Sequence, residues 1–399
     1  MIPFSPPRVD EHTVNAVAEA LRSGWITTGP RTKAFERALE AYTGAERVIC
    51  LNSWTNAVEL VLRWYGVGPG DEVIVPAYTY CATANIVLHL GAAPVLADSD
   101  PEGFNITADT VAPLLTERTK VVMPVDIGGL PCEADALLEL LKTAPFSPNT
   151  REQEALGRPL LIVDAAHSVG AEYRGHKTGA WGDVAGFSFH AVKNLTTAEG
   201  GALALNTSDW FDHEELYRWL NVMSLHGQSK DALAKTTTGA WRYDVVAPGY
   251  KCNMTDLQAA IGQVELDRYP ETLARRKAIC HAYHAFFQTQ GWAIPPVLET
   301  ADATSSYHLY MLRLEDFTEA ERDQVIAGCY ERGVSVNVHF QPLPLLTAYQ
   351  ERGYTLESVP NACNLYRNEI SLPVYYNLSD DDVQTVCEAV AASVQAVRE

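Results

Sequence analysis

The chain has 399 residues, of which 47% are hydrophobic and 20% are charged, so it can form two or three domains with a sizeable core. Its formal net charge of −20 argues against a nucleic-acid partner and against an anionic membrane, and no apolar run approaches the roughly 20 residues of a membrane helix. The eight cysteines form no C-x-x-C pair, so no zinc or redox site is indicated and reduced thiols of a cytoplasmic protein are expected.

Helical and strand-like patterns alternate through about the first 210 residues. The segments DEHTVNAVAEALRSG and TKAFERALEAYTGA have apolar residues three and four apart and end in Gly24 and Gly44, which predicts two helices; TANIVLHLGA predicts another. Short apolar runs predict strands at RVICLNS, DEVIVPAYTY, APVLADSD, KVVMPVDI, PLLIVDAAHS and DVAGFSFH. This alternation predicts parallel βαβ units in an open α/β sheet, where ligands lie at the carboxyl ends of the strands.

The rest of the chain has a different pattern. Residues 227–248 are polar and poorly periodic, which predicts a long loop, and a long amphipathic helical pattern follows with an interruption near Pro270. Strand patterns at SYHLYMLRL and VSVNVHF alternate with helical patterns at EAERDQVIAGCYERG and DDDVQTVCEAVAASVQAV. We therefore expect a large α/β domain with an N-terminal arm over residues 1–264 and a small α+β domain over residues 265–399.

Two charged residues follow neighbouring predicted strands. Asp164 comes directly after LLIV, and Lys193 comes just after DVAGFSFH. Taken singly, Asp164 can be a helix N-cap and Lys193 an ordinary surface lysine. Taken together, they fit pyridoxal phosphate, which binds a lysine as a Schiff base and whose ring nitrogen an aspartate keeps protonated.

Such a cofactor needs partners for its phosphate and its ring. Ser53 and Thr55 lie at a predicted strand-to-helix junction, where free N–H groups favour an anion, although N-capping is the simpler explanation. Ser188 is a polar interruption near the end of an apolar strand. Tyr78 and Tyr80 follow EVIV, and each can either stack on a ring or pack in the core.

These segments resemble, in the same order, the DegT/DnrJ/EryC1/StrS sugar aminotransferases. The resemblance begins at SGWITTGP and continues through GDEVIVPAYTYCATANIVLHLGAAPVLADSDP, ERTKVVMPVDIGGLP, VDAAHSVGAEYRG, GFSFHAVKNLTTAEGGAL and GYKCNMTDLQAAIG. It covers nearly the whole chain and implies a fold-type I pyridoxal-phosphate transferase with a mostly parallel central sheet. The chain is most similar to members that aminate C4 of UDP-linked 4-keto sugars.

The resemblance also implies roles for individual residues. Lys193 occupies the Schiff-base position, Asp164 that of the pyridinium partner, and His167 that of the residue near the phenolic oxygen of the cofactor. Tyr80 stands where an aromatic ring covers the cofactor, and Trp54, Thr55 and Ser188 match the phosphate contacts of one chain. Asn253 matches a phosphate contact from the partner subunit, and Thr28 lies in the loop expected near the sugar. In the tail, His308 and His339 are candidates for the sugar pocket, with structural roles as the alternative.

The predicted function is that of a homodimeric transaminase with shared active sites. It would transfer an amino group from L-glutamate to the C4 keto group of a UDP-linked 4-keto-6-deoxy sugar, with or without a 2-acetamido group, for polysaccharide or glycan biosynthesis. Alternatives are C3 amination of a dTDP-linked keto sugar, a non-catalytic regulatory module on the same fold, and elimination or dehydration. The presence of Lys193 weighs against dehydration, since the dehydratase branch lacks that lysine.

Overall fold

The computed structural model describes residues 1–229 and 243–399, and no helix in these two ranges is long and apolar enough to cross a bilayer. Its helices are α1 (Glu11–Arg22), α2 (Pro30–Thr43), α3 (Trp54–Trp64), α4 (Ala82–His89), α5 (Ala108–Val111), α6 (Ala134–Lys142), α7 (Arg151–Leu156), α8 (His213–Met223), α9 (Asp256–Asp267), α10 (Tyr269–Phe287), α11 (Glu319–Glu331), α12 (Thr347–Gln350), α13 (Pro360–Asn368) and α14 (Asp380–Arg398). Its strands are β1 (Arg47–Leu51), β2 (Glu72–Pro76), β3 (Ala93–Ala97), β4 (Thr119–Val122), β5 (Leu160–Asp164), β6 (Glu172–Tyr173), β7 (His176–Lys177), β8 (Val184–Ser188), β9 (Gly201–Leu205), β10 (Ala293–Ile294), β11 (Ala303–Thr304), β12 (Tyr310–Leu314) and β13 (Glu369–Leu372).

A seven-stranded sheet forms the centre of the molecule, with the strand order β3-β2-β4-β5-β8-β9-β1. Strand β9 runs antiparallel to both of its neighbours, and the other pairings in the sheet are parallel. The sheet is therefore mostly parallel, and the expected fold class is confirmed. The carboxyl ends of β2, β4, β5 and β8 consequently meet at one edge.

Helices cover both faces of this sheet, which explains the continuously apolar strands. Successive residues of β9 alternate between the faces: Leu203 packs in the same cluster as α3 and α4, while Ala202 and Ala204 pack with α2 and α9. The turn signals also hold, because Gly44 ends α2 in the left-handed conformation with φ 78°. The central sheet is thus packed between helices on both of its faces.

A second apolar cluster lies in the C-terminal part of the chain. It joins α10, α11 and α14 to the antiparallel sheet β10-β12-β13 through residues such as Tyr283, Val325, Leu312, Ile370 and Val390. The interruption predicted near Pro270 separates α9 from α10. The predicted domain boundary between residues 264 and 265 falls within α9 and remains a prediction.

The strand predicted at VSVNVHF is wrong. Residues 334–340 are irregular, with isolated bridges from Val334 to Ile2 and from Asn337 to Ser371. The alternating pattern has a different cause, since Val334 and Val336 are buried while Asn337 is exposed. Of the loop predicted over residues 227–248, residues 230–242 lie outside the described ranges.

Candidate active site

A cavity of about 340 Å³ opens at the carboxyl ends of the central strands. Its walls come from the end of β5, the end of β8, the start of α3, the loop after β2 and the segments around residues 308 and 340. Most of the residues predicted from the sequence line it: Trp54, Thr55, Tyr80, Asp164, His167, Ser188, Lys193, His308 and His339. The residues at the ends of β5 and β8 therefore meet in one cavity with the other predicted residues, whose roles remain predictions.

Asp164 is the last residue of β5 and is almost fully buried. Its carboxylate accepts hydrogen bonds from the Thr83 hydroxyl at 3.0 Å and from the backbone N–H of Ala166 at 3.2 Å. Burial raises the pKa of this carboxyl to about 7, although both donors and the nearby Lys193 oppose the rise. A cationic group placed beside Asp164 would favour its ionised form.

Lys193 lies in the loop between β8 and β9 and extends into the same cavity as Asp164. Burial lowers the pKa of its amine to about 8, with the charge of Asp164 acting in the opposite direction. A substantial fraction of the amine is therefore neutral near pH 8. A neutral amine is what nucleophilic attack on a carbonyl requires.

His167 lies on the loop after β5, three residues beyond Asp164, and contacts the segment that follows β4. The backbone N–H of Gly128 donates to its Nδ1 at 3.3 Å, which places the proton of the neutral ring on Nε2. Burial and the charge of Lys193 hold the pKa of His167 well below its usual value. The ring is therefore a neutral donor at Nε2, suited to a phenolic oxygen.

A small concave surface is formed where α3 begins. Ser53 caps this helix by accepting from the N–H of Asn56 at 3.1 Å, so capping and a phosphate contact are compatible roles for the segment. Gly201 of β9 pairs with Ser188 and with Leu51, and a Cβ on Gly201 would lie 2.3 Å from the backbone nitrogen of Trp54. Sheet register thus brings Ser188 close to the start of α3, and both line the cavity.

The two candidate tyrosines have different environments. Tyr78 is fully buried, and its hydroxyl donates to the carbonyl of His339 at 2.8 Å, so it is a core residue. Tyr80 is 62% exposed at the cavity and lies 6.0 Å from the ring of Phe340. Of the two, Tyr80 has the ring that is free to stack on a ligand.

His308 and His339 both line the cavity but are held differently. The Nδ1 atom of His308 lies 2.8 Å from Oδ1 of Asn194, whose amide in turn donates to the carbonyl of Ser306 at 2.8 Å. Burial lowers the pKa of His308 strongly and that of His339 to about 4. Both rings are therefore neutral at physiological pH.

Several residues of the cavity were not predicted from the sequence: Phe4, Thr79, Thr83 and Phe340. Asn194, which lies behind the cavity lining and holds His308, was not predicted either. Thr83 and Asn194 stood inside quoted segments and could have been found by asking which polar residues accompany Asp164 and Lys193. Phe4 gave no signal, because the N-terminal segment reaches the cavity through tertiary contacts alone.

Thr28 and Asn253 lie outside the cavity of their own chain and contact each other. The amide of Asn253 donates to Oγ1 of Thr28 at 2.7 Å, and the Thr28 hydroxyl donates to the carbonyl of Met254 at 2.5 Å. Their predicted roles toward the phosphate and the sugar remain predictions.

The donor set of the cavity fits pyridoxal phosphate. Lys193 and Asp164 supply the amine and the carboxylate, and the first turn of α3 together with Ser188 supplies neutral donors for a phosphate. The backbone of β9 at Gly201 lies directly against the start of α3, since a Cβ there would meet the backbone of Ser53 and Trp54, so this strand fixes the position of the helix start.

Comparison with known proteins agrees with this site. The chain is 38% identical over 395 residues to the spore coat polysaccharide biosynthesis protein SpsC of Bacillus subtilis, covering 98% of this chain and 96% of that one. It is 44% identical, with a TM-score of 0.96 and full coverage of both chains, to the PMP form of the putative sugar aminotransferase Spr1654 from Streptococcus pneumoniae, which has also been solved in a PLP form. It is 27% identical, with a TM-score of 0.85 and 99% coverage of both chains, to PseC of Helicobacter pylori, an aminotransferase involved in the biosynthesis of pseudoaminic acid.

The family assignment covers almost the entire chain, from residue 7 to residue 391. The large mostly parallel sheet and the solved neighbours identify the fold as that of a fold-type I pyridoxal-phosphate aminotransferase, and pyridoxal phosphate is the cofactor. The chain belongs to the DegT/DnrJ/EryC1/StrS aminotransferase family and is a sugar aminotransferase.

Proposed function

We propose that this sugar aminotransferase transfers the amino group of L-glutamate to the C4 keto group of a UDP-linked 4-keto-6-deoxy sugar, with or without a 2-acetamido group, in the cytoplasm. The observation that carries the proposal is the burial of Lys193 and Asp164 in one cavity, with an amine whose pKa is lowered to about 8 and a carboxylate beside it. A non-catalytic module would have no need for a buried lysine in this state.

The residues of this chain divide the work of holding the cofactor. Lys193 would hold the cofactor covalently, Asp164 would hold the proton of its ring nitrogen, and Tyr80 would cover one face of the ring. The first turn of α3 and the Ser188 hydroxyl would bind its phosphate. When bound, the cofactor supplies an electron sink for the carbon that loses a proton.

Lys193 would also move the protons of the reaction. In the first half-reaction its Nζ, freed when the amine of glutamate takes its place, would take the proton from the amino-bearing carbon of glutamate, which would leave as a 2-oxo acid. In the second half-reaction the same atom returns a proton to the sugar carbon that receives the amine. Because one lysine serves both halves, ping-pong kinetics are expected.

The choice of substrate is supported by the relatives and by the cavity. SpsC acts in spore coat polysaccharide biosynthesis and PseC in pseudoaminic acid biosynthesis, so similar chains serve glycan pathways. In the described ranges, Lys193 is the single lysine or arginine among the cavity residues. An uncharged keto sugar ring suits such a lining, with the nucleotide directed toward the cavity mouth.

The dimer is proposed from the position of Thr28 and Asn253. The two side chains form a hydrogen bond outside the cavity of their own chain, with Thr28 just before α2 and Asn253 just before α9. In a two-fold dimer the same segment of each subunit can face the other subunit's cavity. We propose that Asn253 completes the phosphate site of the partner subunit.

The test is a substrate panel with product masses. Purified protein is incubated with L-glutamate and with UDP- and dTDP-linked 3-keto and 4-keto sugars, and the Lys193→Ala variant serves as the matched control. Amination of a UDP-linked 4-keto-6-deoxy sugar, abolished in the variant, supports the proposal. Preference for a dTDP-linked 3-keto sugar would replace it with C3 amination, and the absence of any turnover with bound cofactor would favour a regulatory module.

A further inference from the structure

The N-terminal arm, residues 1–7, reaches the cavity from the C-terminal part of the molecule. The backbone N–H of Ile2 donates to the carbonyl of Gly333 at 2.7 Å, and the N–H of Ser335 donates back to Ile2 at 3.0 Å. Ile2 packs against the C-terminal apolar cluster, while Phe4 packs against the main core. The arm therefore spans the two cores within three residues.

The arm is also fixed on its other side. Ser5 donates through its hydroxyl to the carbonyl of Val192 at 3.4 Å, next to Lys193. Pro3, Pro6 and Pro7 restrict the backbone of the arm to extended conformations. Phe4 is thus held at a defined place rather than on a freely moving terminus.

Four aromatic side chains form a continuous row along the cavity, which we call the aromatic wall: Tyr80, Phe340, His339 and Phe4. Consecutive ring centroids are 6.0 Å apart for Tyr80 and Phe340, 5.1 Å for Phe340 and His339, and 5.3 Å for His339 and Phe4. The Phe4 and His339 rings are stacked at 25°. Phe4 forms one end of the aromatic wall, and Tyr80 forms the other.

The wall is uncharged, because burial lowers the pKa of His339 to about 4. Uncharged aromatic rings suit the parts of a sugar that carry no hydroxyl groups. In a 6-deoxy sugar that part is the edge formed by C5 and the C6 methyl group. Leu372 and Val374 extend the same apolar side of the cavity.

We propose that Phe4 is a specificity-determining residue that contacts the apolar C5–C6 edge of the keto sugar, so that the N-terminal arm forms part of the sugar subsite. This inference rests on the proposed function, since the 6-deoxy edge belongs to the proposed substrate. Glutamate has no such edge and would not need Phe4. The two half-reactions should therefore depend differently on this residue.

The experiment measures the two half-reactions separately in Phe4→Ala by stopped-flow absorbance. Loss of the aromatic contact should lower kcat/KM for the keto sugar about tenfold and change the glutamate half-reaction by less than about twofold. Phe4→Leu fills much of the space but has no aromatic ring. Its kcat/KM for the keto sugar should therefore still be clearly below that of wild type. Val9→Ala, an exposed change just after the arm, should behave as wild type in both halves.

Equal slowing of both half-reactions in Phe4→Leu, or an unchanged keto-sugar half-reaction in Phe4→Ala, would overturn the role of Phe4. If Phe4→Ala loses cofactor, Phe4→Leu carries the comparison. The wild-type panel decides the nucleotide and the keto position on its own. The Phe4 variants are compared with wild type on whichever keto sugar wild type accepts. A wrong substrate assignment is therefore distinguishable from a wrong role for Phe4.

Discussion

Lys193 and Asp164 show how burial prepares a pair of side chains for opposite tasks. Removal from water disfavours both charges, so the pKa of the lysine falls to about 8 and that of the aspartate rises to about 7. Their mutual attraction opposes both shifts. The amine is therefore available as a nucleophile and base, while the carboxylate becomes a strong partner for any cation placed beside it.

The first prediction concerns cofactor loading. Only the neutral form of Lys193 attacks the aldehyde, and lysine is protonated below its pKa, so the rate of loading of cofactor-free protein should rise as pH increases through about 8. The rate is followed by the appearance of the visible absorbance band between about pH 6.5 and 9.5. Lys193→Ala should form no such band, and a wild-type rate independent of pH would contradict the assignment.

A second prediction separates cofactor binding from catalysis. Asp164→Asn should retain bound cofactor but slow both half-reactions roughly 100-fold, because an amide does not hold the proton of the ring nitrogen. Cofactor content is measured by absorbance after gel filtration, and the half-reactions by single-turnover kinetics. Wild-type rates in this variant would remove Asp164 from the catalytic residues.

Thr83 gives a third prediction, of smaller size. Its hydroxyl bonds to the charged form of Asp164, so Thr83→Val should raise the pKa of that carboxyl further. Because Asp164 must be ionised, activity should then be lost at a higher pH as the solution is acidified. Thr83→Ser should restore the wild-type pH profile, and identical profiles for the valine and wild-type proteins would contradict this role.

At the scale of elements, the proposed phosphate site depends on the register between β8, β9 and β1. Gly201 is the meeting point, since it pairs with Ser188 on one side and Leu51 on the other and lies against the start of α3. A side chain there would push the helix start away from the strand. The packing of Gly201 therefore sets the position of the helix start that we propose binds the phosphate.

Gly201→Ala should consequently weaken both stability and cofactor binding. The added Cβ would lie 2.3 Å from the backbone nitrogen of Trp54, and overpacking of this kind costs about 1–3 kcal/mol of unfolding free energy. The control is Gly291→Ala, where a Cβ has no neighbour within 4 Å. Urea unfolding and cofactor affinity are measured for both, and equal behaviour of the two variants would count against the proposed phosphate site.

The sequence was informative for elements with a clear pattern and for residues next to them. Asp164 and Lys193 were singled out because each comes after an apolar run, and Ser188 because it is a polar interruption near the end of one. Strand β9 was missed, because GGALAL contains only glycine and apolar residues, is buried on both faces and shows no alternation of apolar and polar residues. VSVNVHF was misassigned because its buried valines pack in an irregular segment. Phe4 could not be found, since 335 positions separate it from its stacking partner His339.

For the whole molecule, the central question is how a protein with a formal net charge of −20 holds a cofactor phosphate and the nucleotide of its proposed substrate. In the described ranges the cavity contains one lysine and no arginine, and Glu199 adds a negative charge at its rim. Neutral donors from one chain therefore carry much of the task. A donor from a second chain, for which Asn253 is our candidate, would add to them.

Subunit exchange tests this arrangement. Lys193→Ala chains and Asn253→Asp chains should each be inactive, the second through the lost donor and through repulsion of the phosphate. If sites are shared, each mixed dimer has one site with both native residues, so mixing should restore activity. If Asn253 serves its own chain, every site in the mixture has one defect and no activity should return.

The most direct test of the account follows the nitrogen atom itself. The wild-type enzyme is incubated with ¹⁵N-labelled L-glutamate and a UDP-linked 4-keto-6-deoxy sugar, and the sugar product is examined by mass spectrometry and by ¹⁵N–¹H NMR. The account predicts one labelled nitrogen bound at C4 in the wild-type product and none with Lys193→Ala. Label at C3, label that persists at wild-type rate in Lys193→Ala, or an unlabelled sugar from active holoenzyme would contradict it.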